Sequence, residues 1–131
     1  MFFYYSHKNC HISKIESFED LTVYQNGLQL AIDLYKKLAH SKEYSLKDQI
    51  FRSAVSIPSN IAEGHGRSST KAYVNHLMIA HGSLMELETQ LILSARLDYC
   101  STEESQATLK TTEEIGRMIQ GLKRSLNSTD S

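Results

Sequence analysis

The chain of 131 residues holds a single proline, Pro58, and that proline sits inside an apolar stripe of helical spacing. The stripe is Ile50, Ala54, Ile57 and Ile61, and Gly64-His65-Gly66 follows it at once. A second apolar series begins at Tyr73. The stretch Ser56–Ser69 therefore punctuates two long helices. Pro58 removes one backbone N–H and crowds the carbonyl of Ala54, which predicts a kink there. Ser56 and Ser59 are placed to satisfy the freed backbone groups, and Gly64 and Gly66 to end the helix. A β-sandwich needs turn residues every ~8–12 positions. With 6 Gly and 1 Pro, the chain cannot supply them.

The remaining segments have the same period. Leu21, Tyr24, Leu28, Ala31, Tyr35 and Leu38 alternate steps of three and four, the seam of helices packed nearly parallel. Asp20 is a suitable N-cap for that first helix, with Phe18 as a staple, and Gly27 permits a close neighbour. The second helix is expected from Ser45, where Ser45 and Asp48 stand in capping-box spacing. The third opens at Ser68 or Ser69 and runs to about Leu97. Its seam is Tyr73, Leu77, Ala80, Leu84, Leu87 and Leu91, and Met78, Met85 and Ile92 form a further row, so it is expected to bury two faces. Ser101 and Glu104 form a capping box for the fourth helix, whose apolar positions are Leu109, Ile115, Met118, Ile119, Leu122 and Leu126.

Four amphipathic helices with short connections predict an all-α, antiparallel up-down-up-down four-helix bundle. The bundle occupies 18–126, between a leader at 1–17 and a polar tail at 127–131. The leader starts Met1-Phe2-Phe3-Tyr4-Tyr5. Two readings of it stand side by side, an arm that packs on a neighbour and a loosely held terminus.

Charge is nearly balanced, 14 Lys plus Arg against 15 Asp plus Glu. Nucleic-acid binders usually carry a basic excess, so any such role rests on local clusters or on charge summed in an oligomer. The clusters are Arg67 and Lys71 at the start of the third helix, and Lys110, Arg117, Lys123 and Arg124 on the fourth. Within one subunit the competing reading is a solvated face balanced by Glu113 and Glu114. Cys10 and Cys100 give no disulfide framework and fit free thiols in a reducing cytoplasm. No apolar run approaches the ~20 residues of a membrane span, and the start lacks the basic region of a signal peptide.

No motif marks a catalyst, and the chain reads as a non-enzyme without cofactor. Di-iron bundles need Glu-x-x-His on two helices, and no glutamate here has His three residues on. His7, Cys10 and His11 lack a fourth metal ligand. Gly64-His65-Gly66-Arg67-Ser68-Ser69 has the look of a phosphate loop without the preceding strand or the Gly-Lys-Ser/Thr ending. Asn60 and Glu63, one turn apart, read as structural groups that bind the backbone near Pro58 or fasten the second helix to the third.

Three blocks carry a family resemblance. They are Phe18-Glu19-Asp20-Leu21-Thr22-Val23-Tyr24-Gln25, the run Gln49–Gly64 containing Ser56-Ile57-Pro58-Ser59-Asn60-Ile61-Ala62-Glu63-Gly64, and Ile79-Ala80-His81-Gly82-Ser83-Leu84-Met85-Glu86-Leu87. They resemble the four-helix bundle proteins encoded in intervening sequences of bacterial 23S rRNA genes, a family that includes the accessory protein of diversity-generating retroelements. The resemblance implies a homopentamer of bundles with no known enzymatic activity. It also implies a possible partner, rRNA or other nucleic acid, or, in the retroelement branch, a reverse transcriptase. On that basis Arg52, Arg67, Lys71, Lys110, Arg117, Lys123 and Arg124 are the candidate nucleic-acid contacts. Pro58, Asn60, Glu63 and Gly64 are the architectural motif. The chain departs from the family pattern at Phe51 and His81, where arginine is common. Lost phosphate contacts weaken nucleic-acid binding, which favours the intervening-sequence branch over the reverse-transcriptase partner.

Overall fold

The repeating three-and-four spacing becomes four helices: α1 (Phe18–Leu38), α2 (Tyr44–His65), α3 (Thr70–Arg96) and α4 (Thr102–Thr129). The structure, a computed structural model, describes residues 18–129. The leader and its two readings lie outside the described residues, as do residues 130 and 131. Each helix packs on the next and α4 returns to α1, while among the described residues the backbones of the diagonal pairs, α1 with α3 and α2 with α4, stay apart. The pairings run antiparallel. Gly27 faces Pro58, Ser56 faces Ser83, Glu88 faces Thr112, and Asn26 meets Met118. The result is an up-down-up-down four-helix bundle. Its cyclic order sets the α1/α2 face opposite the α3/α4 face.

The core is aliphatic. Ile57, Leu77, Leu84 and Leu87 are wholly buried, as are Ile50, Ile61, Ile115 and Ile119 to within 2 %. Each such side chain contributes about 1.5–3 kcal/mol relative to exposure. The expected seams of α2 and α3 lie in this core. The seam read for α1 is rotated. The buried positions are Val23, Gly27, Leu30, Ala31 and Leu34, while Tyr35 is exposed. The error has a physical origin: Leu28 and Tyr35 are apolar but belong to a flanking stripe. On α3 the row Met78, Met85 and Ile92 is also exposed, not buried as expected. The bundle supplies α3 with two neighbours, and neither covers this row.

The helix ends follow local chemistry in part. Ser69 caps α3, its Oγ accepting from the N–H of Ala72 at 3.1 Å. Ser101 and Glu104 form the expected capping box. The Ser101 N–H donates to Glu104 Oε1 at 3.0 Å, and the Glu104 N–H donates to Ser101 Oγ at 3.0 Å. The box expected at Ser45 and Asp48 does not form, because α2 already starts at Tyr44 with Glu43 as a cap that makes no side-chain bond. α4 continues to Thr129, so the expected polar tail is in part its last turn.

α3 ends on a motif the sequence did not advertise. The Tyr99 N–H donates to Ser94 O at 2.9 Å and the Asp98 N–H to Ala95 O at 3.1 Å, with Asp98 in the left-handed region at φ 62°. This is a Schellman ending, in which glycine is the usual residue.

Candidate functional site

Pro58 does not end α2, which runs unbroken from Tyr44 to His65. The ring is buried against α1, where a Cβ built on Gly27 would lie 3.5 Å from Pro58 Cβ and Cδ. Ser59 is exposed and serves no freed backbone group. Ser56 turns to α3 instead, and its Oγ shares a hydrogen bond of 2.8 Å with Ser83 Oγ. Asn60 completes the chain. Its Nδ2 donates to Ser56 O at 2.9 Å and to Ser56 Oγ at 3.0 Å, and its Oδ1 lies 3.1 Å from His76 Nδ1. A polar line thus runs Ser83–Ser56–Asn60–His76 along the α2/α3 seam. Asn60 fastens α2 to α3, but the carbonyl it binds is that of Ser56 and not the one that Pro58 frees, which is that of Ala54. Glu63 does neither. It is exposed and pairs with Arg67 at 2.8 Å.

Gly64 was expected to end the helix, and it does not. It is a buried helical residue, and a Cβ there would meet His76 Cβ at 2.7 Å. Its role is close approach of α2 to α3. Gly66 is the cap, in the right-handed region at φ −79°, so no glycine terminates α2 through a left-handed turn. Of these four residues Pro58, Asn60 and Gly64 lie against a neighbouring helix, and Glu63 does not.

The basic residues separate by height along the bundle. Arg67 and Lys71 sit at the α2/α3 turn, and Lys123 and Arg124 lie near the end of α4, which the antiparallel order brings to the same end. Arg67 is partly neutralised by Glu63. Arg117 lies higher, where it and Arg124 line a cavity of 420 Å³ between α3 and α4 with His81, Met85 and Glu88. Arg52 on α2 and Lys110 on α4 are exposed nearer the other end and join neither group. Among the described residues, no three of His, Cys, Asp and Glu gather as a metal would require. No helix of the described residues is long and apolar enough to cross a membrane.

The 23S rRNA-intervening sequence protein family model matches residues 19–121. The chain belongs to this family. A solved structure from Bacteroides thetaiotaomicron, described as a protein with unknown function from the S23 ribosomal protein family, is similar at 29% identity with a TM-score of 0.77. The similarity covers 82% of this chain and 99% of that one. No functionally curated protein matches.

In this intervening-sequence protein the motif block packs helix on helix, and two apolar stripes are left outside. On the α1/α2 face, Ile32, Tyr35 and Val55 are exposed by 44, 60 and 38 %, and the Tyr35 ring meets Phe51 at 5.0 Å between centroids. On the α3/α4 face, Met78, Met85 and Ile92 are exposed by 55, 43 and 45 %. The two departures from the family pattern fall on these faces, one on each. Phe51 stacks in the first stripe, and His81 lines the groove beside the second. Sequence periodicity found the α3 row and Tyr35 but assigned them to the core, since spacing reports a row and not what covers it, and it did not mark Ile32 or Val55.

Proposed function

We propose that this intervening-sequence protein is a non-enzymatic, cytoplasmic assembly module that closes into a homo-oligomeric ring and offers its basic end to RNA. The observation that supports this best is the pair of apolar stripes on opposite faces of the bundle. A monomer gains nothing from exposing two such rows. Apolar rows on opposite faces suit a heterologous contact, the α1/α2 face of one copy on the α3/α4 face of the next. Such contacts make a ring when the rotation closes, and the family resemblance implies five copies. Around a ring, Lys71, Lys123 and Arg124 of every copy come to the same end, and their fields sum.

The complementation of two surface variants tests the ring. Tyr35→Asp spoils one face and Met85→Asp the other. Light scattering should give a closed oligomer for the wild type, monomers for each variant alone, and a dimer for their mixture, which has one intact face from each. A monomeric wild type, or a mixture that stays monomeric, overturns the ring. The RNA part has its own readout. Wild-type protein should retain RNA in filter binding with an affinity that falls with salt, and Lys123→Glu with Arg124→Glu should flatten that slope by about 0.7 per lost contact for single strands. No retention at low salt removes it and leaves the reading as a purely structural protein-interaction module.

A further inference from the structure

The bundle end that carries the α1–α2 and α3–α4 connections is hollow. A cavity of 340 Å³ opens there between all four helices. The cause is legible along the seams. After Leu87 and Leu91, the next seam position of α3 is Ser94, and the first two of α4 are Ser105 and Thr108. Three small hydroxyl residues stand in seams that mostly carry leucine or isoleucine. They are 6, 4 and 7 % exposed, and all three line the cavity.

Their hydrogens are already committed. Ser94 Oγ donates to Gln90 O at 2.9 Å, Ser105 Oγ to Leu91 O at 3.2 Å, and Thr108 Oγ1 to Glu104 O at 3.2 Å. A hydroxyl has one hydrogen and two lone pairs, so with these bonds made the wall presents acceptors. Leu34, Leu46 and Ile50 on α1 and α2, with Leu91 on α3, supply an apolar lining. The rim is charge-balanced. Lys37 and Lys47 stand with Glu43 and Glu104, and the Lys47 Nζ is turned to Ser41 O at 3.2 Å.

We propose that this cavity is a binding site for a small amphipathic molecule with a hydrogen-bond-donating head, an alcohol or a primary amine on a short apolar chain. The head donates to the Ser94, Ser105 and Thr108 oxygens, and the chain lies on Leu34, Leu46 and Ile50. The volume falls within the range of small-molecule sites, about 300–1,000 Å³. The site is separate from both apolar stripes and from the basic end, so it stands or falls independently of the ring.

Cys100 reports occupancy, because it lines the same cavity and is the one cysteine among the described residues. In a Cys10→Ser protein, the alkylation rate of Cys100 by iodoacetamide is followed against 1-hexanol, hexylamine and hexanoate. Hexanol and hexylamine should slow it at least threefold and saturably, and hexanoate, which has no donor at neutral pH, should not. Ser94→Leu fills the space and should abolish the protection. Should that variant not fold, amide shifts of the unfilled protein decide. Saturable hexanol or hexylamine shifts confined to the residues of the cavity support the site. Equal protection by hexanoate assigns control to the rim lysines and overturns the donor rule. No protection and no saturable shift mean a cavity that holds water only, and overturn the proposal.

Discussion

Gly64 and His76 approach so closely that no methyl group fits between them. Besides the 2.7 Å approach to His76 Cβ, a Cβ on Gly64 would lie 3.0 Å from the Tyr73 ring and 3.3 Å from Tyr73 O. Two of these three obstacles are backbone or the first side-chain atom, which cannot swing aside. Gly64→Ala should therefore separate α2 from α3 and cost about 1–3 kcal/mol as overpacking. This outweighs the gain of up to ~1 kcal/mol that alanine brings to a helix. Gly82→Ala is the internal comparison, for nothing lies within 4 Å of its added Cβ. It should raise the midpoint of urea unfolding while Gly64→Ala lowers it. A neutral Gly64→Ala would remove the close-approach account.

The polar line across the same seam should behave as a unit. Asn60→Leu removes the acceptor facing His76 and the donor to Ser56, and should cost about 1–3 kcal/mol. Ser56→Ala strands the Ser83 hydroxyl, and Ser83→Ala leaves the Ser56 hydroxyl only its bond from Asn60. The double variant leaves neither stranded, so its cost should be smaller than the sum of the two. Chemical denaturation of the four proteins gives the coupling directly. Strict additivity would mean that the 2.8 Å contact between the two hydroxyls is energetically idle.

Asp98 holds the left-handed position of the α3 ending at φ 62°. A residue with a Cβ is disfavoured there by about 1–2 kcal/mol, less for Asp, whose short polar side chain eases the conformation. Asp98→Gly should raise stability by up to ~1 kcal/mol, offset in part by the freedom glycine gains on unfolding. Asp98→Ala should lower it. Thermal unfolding separates this from a charge effect, since both variants lose the carboxylate and only one has a Cβ.

The bundle was legible because most of its determinants are local. The seams of α2 and α3, the Ser69 cap and the Ser101–Glu104 box each need only a few neighbouring residues, and all are present as read. What escaped depends on partners far along the chain. Gly64 looked like a helix stop because glycine has that use, whereas its reason is His76 on the next helix. Tyr35 and Met85 looked like core because periodicity is blind to which side of a helix meets a neighbour. The Asp98 ending was missed because its glycine marker is absent. The cavity at Ser94, Ser105 and Thr108 was missed because hydroxyl residues break an apolar pattern without saying that they face inward. Of the candidate contacts, Lys71, Lys123 and Arg124 do share one end, and nothing local to Arg52 or Lys110 set them apart.

The capping box ties α4 to pH. The Ser101 N–H bond to the Glu104 carboxylate holds that carboxyl below its usual range, with the Ser101 side chain and Lys37 acting in the same direction. The folded state thus binds this proton less readily than the unfolded chain does. Stability from the ionised form is fully present above the ordinary glutamate value, about 4.3, and fades as pH falls through the depressed one. The group is at the surface, so the effect is modest and screened by salt. Glu104→Gln should lower the unfolding midpoint at neutral pH, and the gap from wild type should narrow as the pH is taken below 4.3. No gap at neutral pH would show that the amide replaces the carboxylate as a cap and that the bond, not the charge, secures the start of α4.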